Sequence, residues 1–120
     1  MMKGEELAVR VQVTLHQGDG DEGHTPAMGR GVARLCELVD ETGSLNKAAK
    51  EMGMAYSKAW RIMKRAEDFF GFPLLDRNGP KGSNLTEKGK WLVGAYREVE
   101  RAARKASNEK LQELLREAQQ

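Results

Sequence analysis

Ser44-Leu45-Asn46-Lys47-Ala48-Ala49-Lys50-Glu51-Met52-Gly53-Met54-Ala55-Tyr56-Ser57-Lys58-Ala59-Trp60-Arg61-Ile62-Met63-Lys64-Arg65 holds two helices and the turn between them. Ser44 is an N-cap residue, and Leu45, Ala48, Ala49 and Met52 recur at the three- and four-residue spacing of one helix face. Gly53 ends that short helix, because only glycine takes the positive φ of a helix exit without steric cost. A third helix of the chain starts near Ser57, with Ala59, Ile62, Met63, Ala66, Phe69 and Phe70 on its apolar side, and stops at Gly71-Phe72-Pro73. Small residues such as Ala49 let the two helices cross closely, the arrangement of a helix-turn-helix.

Upstream, Val32, Leu35, Cys36 and Val39 place an amphipathic helix over residues 30–42, ended by Gly43. Further upstream, Leu7, Val9, Val11, Val13 and Leu15 alternate without a break, predicting a β-strand over residues 7–15. Residues 18–26 show no periodicity and read as a loop. His16 and His24 stand near Asp19, Asp21 and Glu22, but the segment has no recognised metal-ligand spacing, so no metal site is assigned.

Downstream, residues 74–77 and 84–86 predict two short strands around Asn78-Gly79-Pro80-Lys81-Gly82-Ser83, a hairpin rich in turn formers. A nucleotide-binding loop is the rival reading of a glycine loop with a lysine. This one lacks the four-residue spacer before Gly-Lys-Ser/Thr and follows no long buried strand. Thr86 caps a last helix that can run to about Ala118, with a bend expected at Ser107-Asn108. The expected fold class is therefore mainly α with a small β wing, α+β overall. It is a winged helix-turn-helix over residues 7–90 with a leading strand, preceded by a tail at 1–6 and followed by a long helix over 91–120.

Charge follows this layout. Residues 1–43 carry four basic and eight acidic side chains, residues 44–90 ten and five, and residues 91–120 six and five, although the whole chain is only +2. The middle segment is thus the candidate polyanion face. On the third helix the candidate DNA contacts are Tyr56, Ser57, Lys58, Arg61, Lys64 and Arg65. Flanking them are Ser44 and Lys47 at the second helix and Arg77, Asn78, Lys81, Ser83 and Asn84 in the wing. Arginine and lysine donate to guanine O6 and N7, while hydroxyls and amides reach phosphates or base edges. Trp60, beside Ala59 and near Met63, is expected in the core rather than against a base.

Thr42-Gly43-Ser44-Leu45-Asn46-Lys47-Ala48-Ala49-Lys50, Met54-Ala55-Tyr56-Ser57-Lys58-Ala59-Trp60, Phe70-Gly71-Phe72-Pro73-Leu74-Leu75 and Leu85-Thr86-Glu87-Lys88-Gly89 together resemble the N-terminal DNA-binding domain of the molybdate-responsive, ModE-type regulators. The more distant resemblance is to LysR-type domains. It spans roughly residues 7–105 and implies a dimeric winged helix on operator DNA, contacted through Ser57, Lys58, Arg61 and the wing around Lys81. The oxyanion-binding module of those regulators has no counterpart expected in residues 1–120, so no molybdate-binding residue carries over and no cofactor is assigned. A separate effector-binding protein is one way such a chain would be controlled.

The last helix would be about 48 Å long at 1.5 Å per residue, more than a small domain needs for its own core. Leu92, Tyr96, Val99, Ala103 and Ala106 form a stripe rimmed by charges, the pattern of a helix packing on a second copy. The expected partners are a pseudo-palindromic operator in double-stranded DNA and a second copy of the chain. No membrane span or secretory run is seen, so a cytoplasmic location is expected. The single cysteine, Cys36, reads as a small buried apolar residue. No nucleophile stands beside a suitable histidine, so an enzyme is not expected. The alternative function is a winged-helix protein-interaction module, which would need an exposed apolar patch on the third helix or wing.

Overall fold

The computed structural model describes residues 6–17, 26–77 and 82–119. Its elements in chain order are α1 (Arg30–Thr42), α2 (Leu45–Glu51), α3 (Tyr56–Phe70), β1 (Leu75–Arg77), β2 (Ser83–Leu85) and α4 (Glu87–Ala118). The strands pair antiparallel, Leu75 opposite Leu85 and Arg77 opposite Ser83. Helix, helix, turn, helix and hairpin therefore occur in the expected order. Their boundaries lie within a residue or two of the glycine and hydroxyl signals. Ser44 Oγ accepts from the Lys47 N–H at 3.2 Å and opens α2. Gly53, with φ of 70°, turns the chain toward α3. Helix α4 is continuous through Ser107 and Asn108 instead of bending there. Their side chains donate to the Ala103 and Arg104 carbonyls one turn back and stay within the helix.

One core holds these elements together. Leu35, Cys36, Leu38 and Val39 of α1 meet Leu45, Ala48 and Ala49 of α2, Ala59, Met63 and Ala66 of α3, and Leu92, Val93 and Tyr96 of α4. Leu74, Leu75 and Leu85 close it at the base of the hairpin. An ionic cluster on the rim ties α1 to α4. The Arg97 guanidinium donates to Glu37 at 2.7 and 3.1 Å and to Glu100 at 2.8 Å. The hydrogen bonds from Arg97 hold the Glu37 carboxyl below its ordinary pKa, and Glu37 in turn raises that of Arg97.

Two expectations need correction. Residues 7–15 are not a strand of the sheet. Their only ladder contact among the described residues is an isolated bridge, in which Leu15 N–H donates to the Met28 carbonyl and Ala27 N–H to that of Leu15. The alternation itself is present, since Leu7, Val9, Val11 and Val13 are half-buried while Ala8, Arg10 and Gln12 are exposed. The surface that covers them belongs to α4. The Tyr96 hydroxyl donates to the Val13 carbonyl at 2.7 Å, and the Val9 N–H donates to Asn108 Oδ1 at 2.7 Å. The second correction concerns Leu92 and Tyr96, which were expected on a dimer face. They are 5% and 1% exposed and belong to the chain's own core.

Among the described residues no helix is long and apolar enough to cross a membrane. No group of three or more potential metal ligands occurs among them either. His16 Nε2 lies 2.9 Å from Thr14 Oγ1, while Asp19, Asp21, Glu22 and His24 fall outside the described residues.

Cys36 is fully buried, with its sulfur 3.9 Å from that of Met63. Burial, then the nearby Glu37 and Glu67 carboxylates, push its thiol up to about 12. Because the thiolate is the reactive form, a maleimide or disulfide reagent should label native protein slowly and denatured protein quickly at neutral pH. Fast labelling of the native chain, followed by mass spectrometry, would show that α1 does not present this face to the core.

Candidate nucleic-acid interface

Helix α3 has one buried side, made by Ala59, Met63, Ala66 and Glu67. At about 100° per residue, Ser57, Arg61, Lys64 and Asp68 fall within a narrow arc opposite that side. All four are exposed. Lys58 and Arg65 form one shoulder of the arc and line a shallow groove with Arg61 and Ile62. Trp60 flanks the other side, and Tyr56, exposed at the first position of α3, falls in the arc of the buried residues. The cations differ in what occupies them. Lys64 pairs with Asp68 at 3.3 Å, whereas Lys58, Arg61 and Arg65 form no ion pair among the described residues. This is a surface of donors without protein acceptors, suited to an anionic partner.

Trp60 corrects the expectation of a core tryptophan. It is 41% exposed, and Tyr56, one turn earlier, is 49% exposed. The buried stripe at positions 59, 63 and 66 is already filled by Ala, Met and Ala, and Trp60 lies a full 100° step beyond Ala59. A helical wheel of residues 56–70 does not separate Trp60 from the core, since it lies about 20° from the buried Glu67.

The hairpin is anchored at its base from four directions. Ser83 N–H donates to the Gly43 carbonyl at 2.8 Å, and Leu85 N–H to Asp40 Oδ1 at 3.2 Å. The Thr86 hydroxyl donates to the Pro73 carbonyl at 2.7 Å and accepts from Gly89 N–H at 2.9 Å. The fourth anchor is Glu67. Its Oε2 accepts from the Leu74 and Leu75 N–H groups at 2.8 and 3.3 Å, and its Oε1 lies 3.7 Å from the Arg77 guanidinium. Gly82 is required at the approach to α1, since a Cβ there would collide with the Gly43 carbonyl oxygen and its φ is 92°.

These contacts sort the remaining candidates. Lys47 is exposed at the start of α2. Ser44 is half-buried with its hydroxyl engaged as the cap of α2, and Ser83 is half-buried with its N–H engaged by Gly43. Arg77 is 45% exposed beside Glu67, and Asn84 is exposed on β2. Asn78 and Lys81 lie outside the described residues. On α4, Val99 and Ala106 are exposed and Ala103 is half-buried.

Residues 32–90 match the family described as bacterial regulatory helix-turn-helix protein, lysR family. Among curated proteins, the chain is 32% identical over 85 residues to the molybdenum-pterin-binding protein MopA of Rhodobacter capsulatus, covering 68% of this chain and 32% of that protein. It is 34% identical over 71 residues to the molybdenum transport protein ModE of Azotobacter vinelandii, covering 56% and 26%. The chain thus spans about a third or less of the length of these relatives. Among solved structures, the DNA-binding domain of CbnR in its DNA complex is similar in fold. Its TM-score is 0.57 at 24% identity, over 69% of this chain and 94% of that one.

Glu67 joins α3 to the hairpin through charge-assisted bonds to buried N–H groups. Glu67→Ala should leave both donors without their acceptor and lower stability by about 1.5–3 kcal/mol in urea unfolding. A change below about 0.5 kcal/mol would mean that the hairpin is held without it.

Proposed function

We propose, for a chain whose residues 32–90 are a bacterial LysR-type helix-turn-helix domain, that this protein binds a specific sequence in double-stranded DNA and regulates transcription there. The observation that carries this reading is the outward face of α3. Ser57 and Arg61 lie at its centre and the unpaired Lys58 and Arg65 beside them, on a helix with a hairpin fixed to its C-terminal end. A helix fits the major groove, where the N-terminal turns of a recognition helix reach base edges. Arg61 is proposed as a base reader, Lys58 and Arg65 as groove or phosphate contacts, and Lys47 and the wing as flanking phosphate contacts. The molybdenum-related relatives support a regulator of that branch. An effector signal would then reach the domain from outside residues 1–120, for instance through a separate effector-binding protein. No catalytic step is assigned to the chain.

The exposed Tyr56 and Trp60 are the observation that favours the alternative, a protein-interaction module. Both rings lie about 100–180° around the helix from the unpaired Lys58, Arg61 and Arg65, so the cationic face on which the DNA reading rests stands apart from them.

A homodimer is part of the proposal. Helix α4 contributes no buried residue beyond Glu100, yet runs on to Ala118 with Val99 and Leu114 about half exposed. With Leu92 and Tyr96 committed to the core, the contact is assigned to Val99, Ala103, Ala106 and the distal leucines. Two-fold pairing would present two copies of α3 to half-sites one helical turn, or a multiple of it, apart.

Two measurements test these assignments. After selection of bound sequences from random duplex DNA, Arg61→Ala should cost on the order of 1–3 kcal/mol and relax preference at one base pair. Unchanged affinity and preference in a folded variant would remove α3 as the reader. Sedimentation at micromolar concentration should give a dimer. A monomer that binds an isolated half-site as tightly as the full site would refute the dimer.

A further inference from the structure

We propose that Trp60 is a specificity-determining residue that reads a thymine in the major groove by packing its indole against the thymine C5-methyl group. The proposal rests on the DNA-binding reading above and adds to it a contact of a different chemical kind. Its first support is position. Trp60 belongs to the first two turns of α3, the part of a recognition helix that reaches base edges. At about 100° per residue it lies roughly 60° around the helix from Ser57 and 40° from Lys64, on the side that leads toward Glu67 and the hairpin. It therefore flanks the surface that a groove would cover, between Ser57 and the buried Glu67.

The second support is that the chain has not used this side chain for its own core. Ala59, Met63 and Ala66 are at most 1% exposed and fill the buried side of α3, while Trp60 retains 41% exposure. Leaving a large indole in water forgoes the free energy its burial would supply, about 25 cal/mol for each Å². Tyr56 stands one turn away, so the exposed apolar surface is shared by two aromatic rings.

The third support is what an indole can recognise there. In a duplex the faces of the bases are stacked on one another, leaving only their edges to a side chain in the groove. The one apolar group on those edges is the thymine methyl. Indole also has a single N–H donor and no acceptor, so it is a poorer phosphate ligand than Lys58, Arg61 and Arg65, which lie about 100–160° around the helix from it. The aromatic and cationic flanks of the helix thus divide the work. The cations and Ser57 take acceptors, and Trp60 takes the methyl.

The test uses the tightest duplex from the selection. Each thymine is replaced in turn by uracil, which removes only the methyl, and affinity is measured by fluorescence anisotropy for wild type and Trp60→Ala. Wild type should lose about fourfold at one thymine in each half-site, the value of one buried methyl. Trp60→Ala should bind the unmodified duplex on the order of tenfold more weakly and be indifferent to that same uracil. If Trp60→Ala does not fold, the uracil scan of wild type still stands. It is then read with Trp91→Phe protein, whose only tryptophan is Trp60. Its emission should change on binding the thymine duplex and change less with the uracil one.

Indifference of wild type to every uracil overturns the proposal, as does an equal uracil penalty in Trp60→Ala. Unaltered DNA affinity in Trp60→Ala does the same and returns the aromatic flank to a protein partner. Failure of wild type to select any DNA sequence would instead refute the regulator reading itself, and this inference with it.

Discussion

The carboxylate of Glu67 is the interaction on which the geometry of the candidate interface depends. It is 9% exposed at the last turn of α3, and a charge in that position is tolerated only when its lone pairs are occupied. Two consecutive backbone N–H groups and the Arg77 guanidinium occupy them. The chain leaving α3 must therefore turn back at Pro73 and start β1 beside the helix. The antiparallel pairing of Leu75 with Leu85 then brings β2 against Asp40 and Gly43 at the far end of α1. One buried acid thus sets the hairpin relative to α3, and the α1–α2 corner fixes it from the other side. A helix and a wing can grip one ligand only if their separation does not drift.

The parts legible in the sequence are those whose signal is local. Gly43, Gly53 and Gly71 end helices because each takes a positive φ, and Ser44 and Thr86 begin helices because their hydroxyls accept from N–H groups three residues on. The apolar spacing within 30–42 and 57–70 reports one buried face per helix, which the core bears out except at Phe69, 44% exposed near the end of α3. The hairpin was legible for the same reason, since its turn formers lie between two short apolar segments. The candidate face of α3 followed once the buried face was known. The sequence alone, which marks Ser44 as the cap of α2, did not show that the Ser83 N–H is held by the Gly43 carbonyl.

What was not legible is the identity of a partner. Alternation over residues 7–15 states that one side of an extended chain is covered, and this holds. It does not state whether another strand or a helix covers it. Here the cover is α4, through Tyr96 and Asn108, both distant in sequence. The same ambiguity misplaced Leu92 and Tyr96. A stripe on a long helix is equally well satisfied by the protein's own α1 and N-terminal segment as by a second copy. Trp60 failed for a related reason, because the size and apolarity of a side chain state that burial would be favourable and not that the fold supplies it. Each error is an inference from a surface to its occupant.

The basic segment identified by composition is also less uniform than its charge suggests. Several of its cations already serve the fold: Lys64 faces Asp68, Arg77 faces Glu67, and Lys90 lies 3.8 Å from Glu87. The exposed Lys64–Asp68 and Lys90–Glu87 pairs add little stability and shape the local field more than they hold the structure, whereas Arg77 meets the buried Glu67. Lys58, Arg61 and Arg65 are different, since nothing acidic among the described residues neutralises them. They repel one another within two turns of a single helix, at a cost that salt screens but the free chain does not remove. The arrangement is unfavourable for the isolated protein and becomes favourable when a polyanion displaces its counterions onto solvent. Unpaired charge among the described residues also occurs at Arg101, Arg104 and Lys105 of α4, so what distinguishes the α3 cations is their place beside Ser57 on a helix with a hairpin fixed to its end.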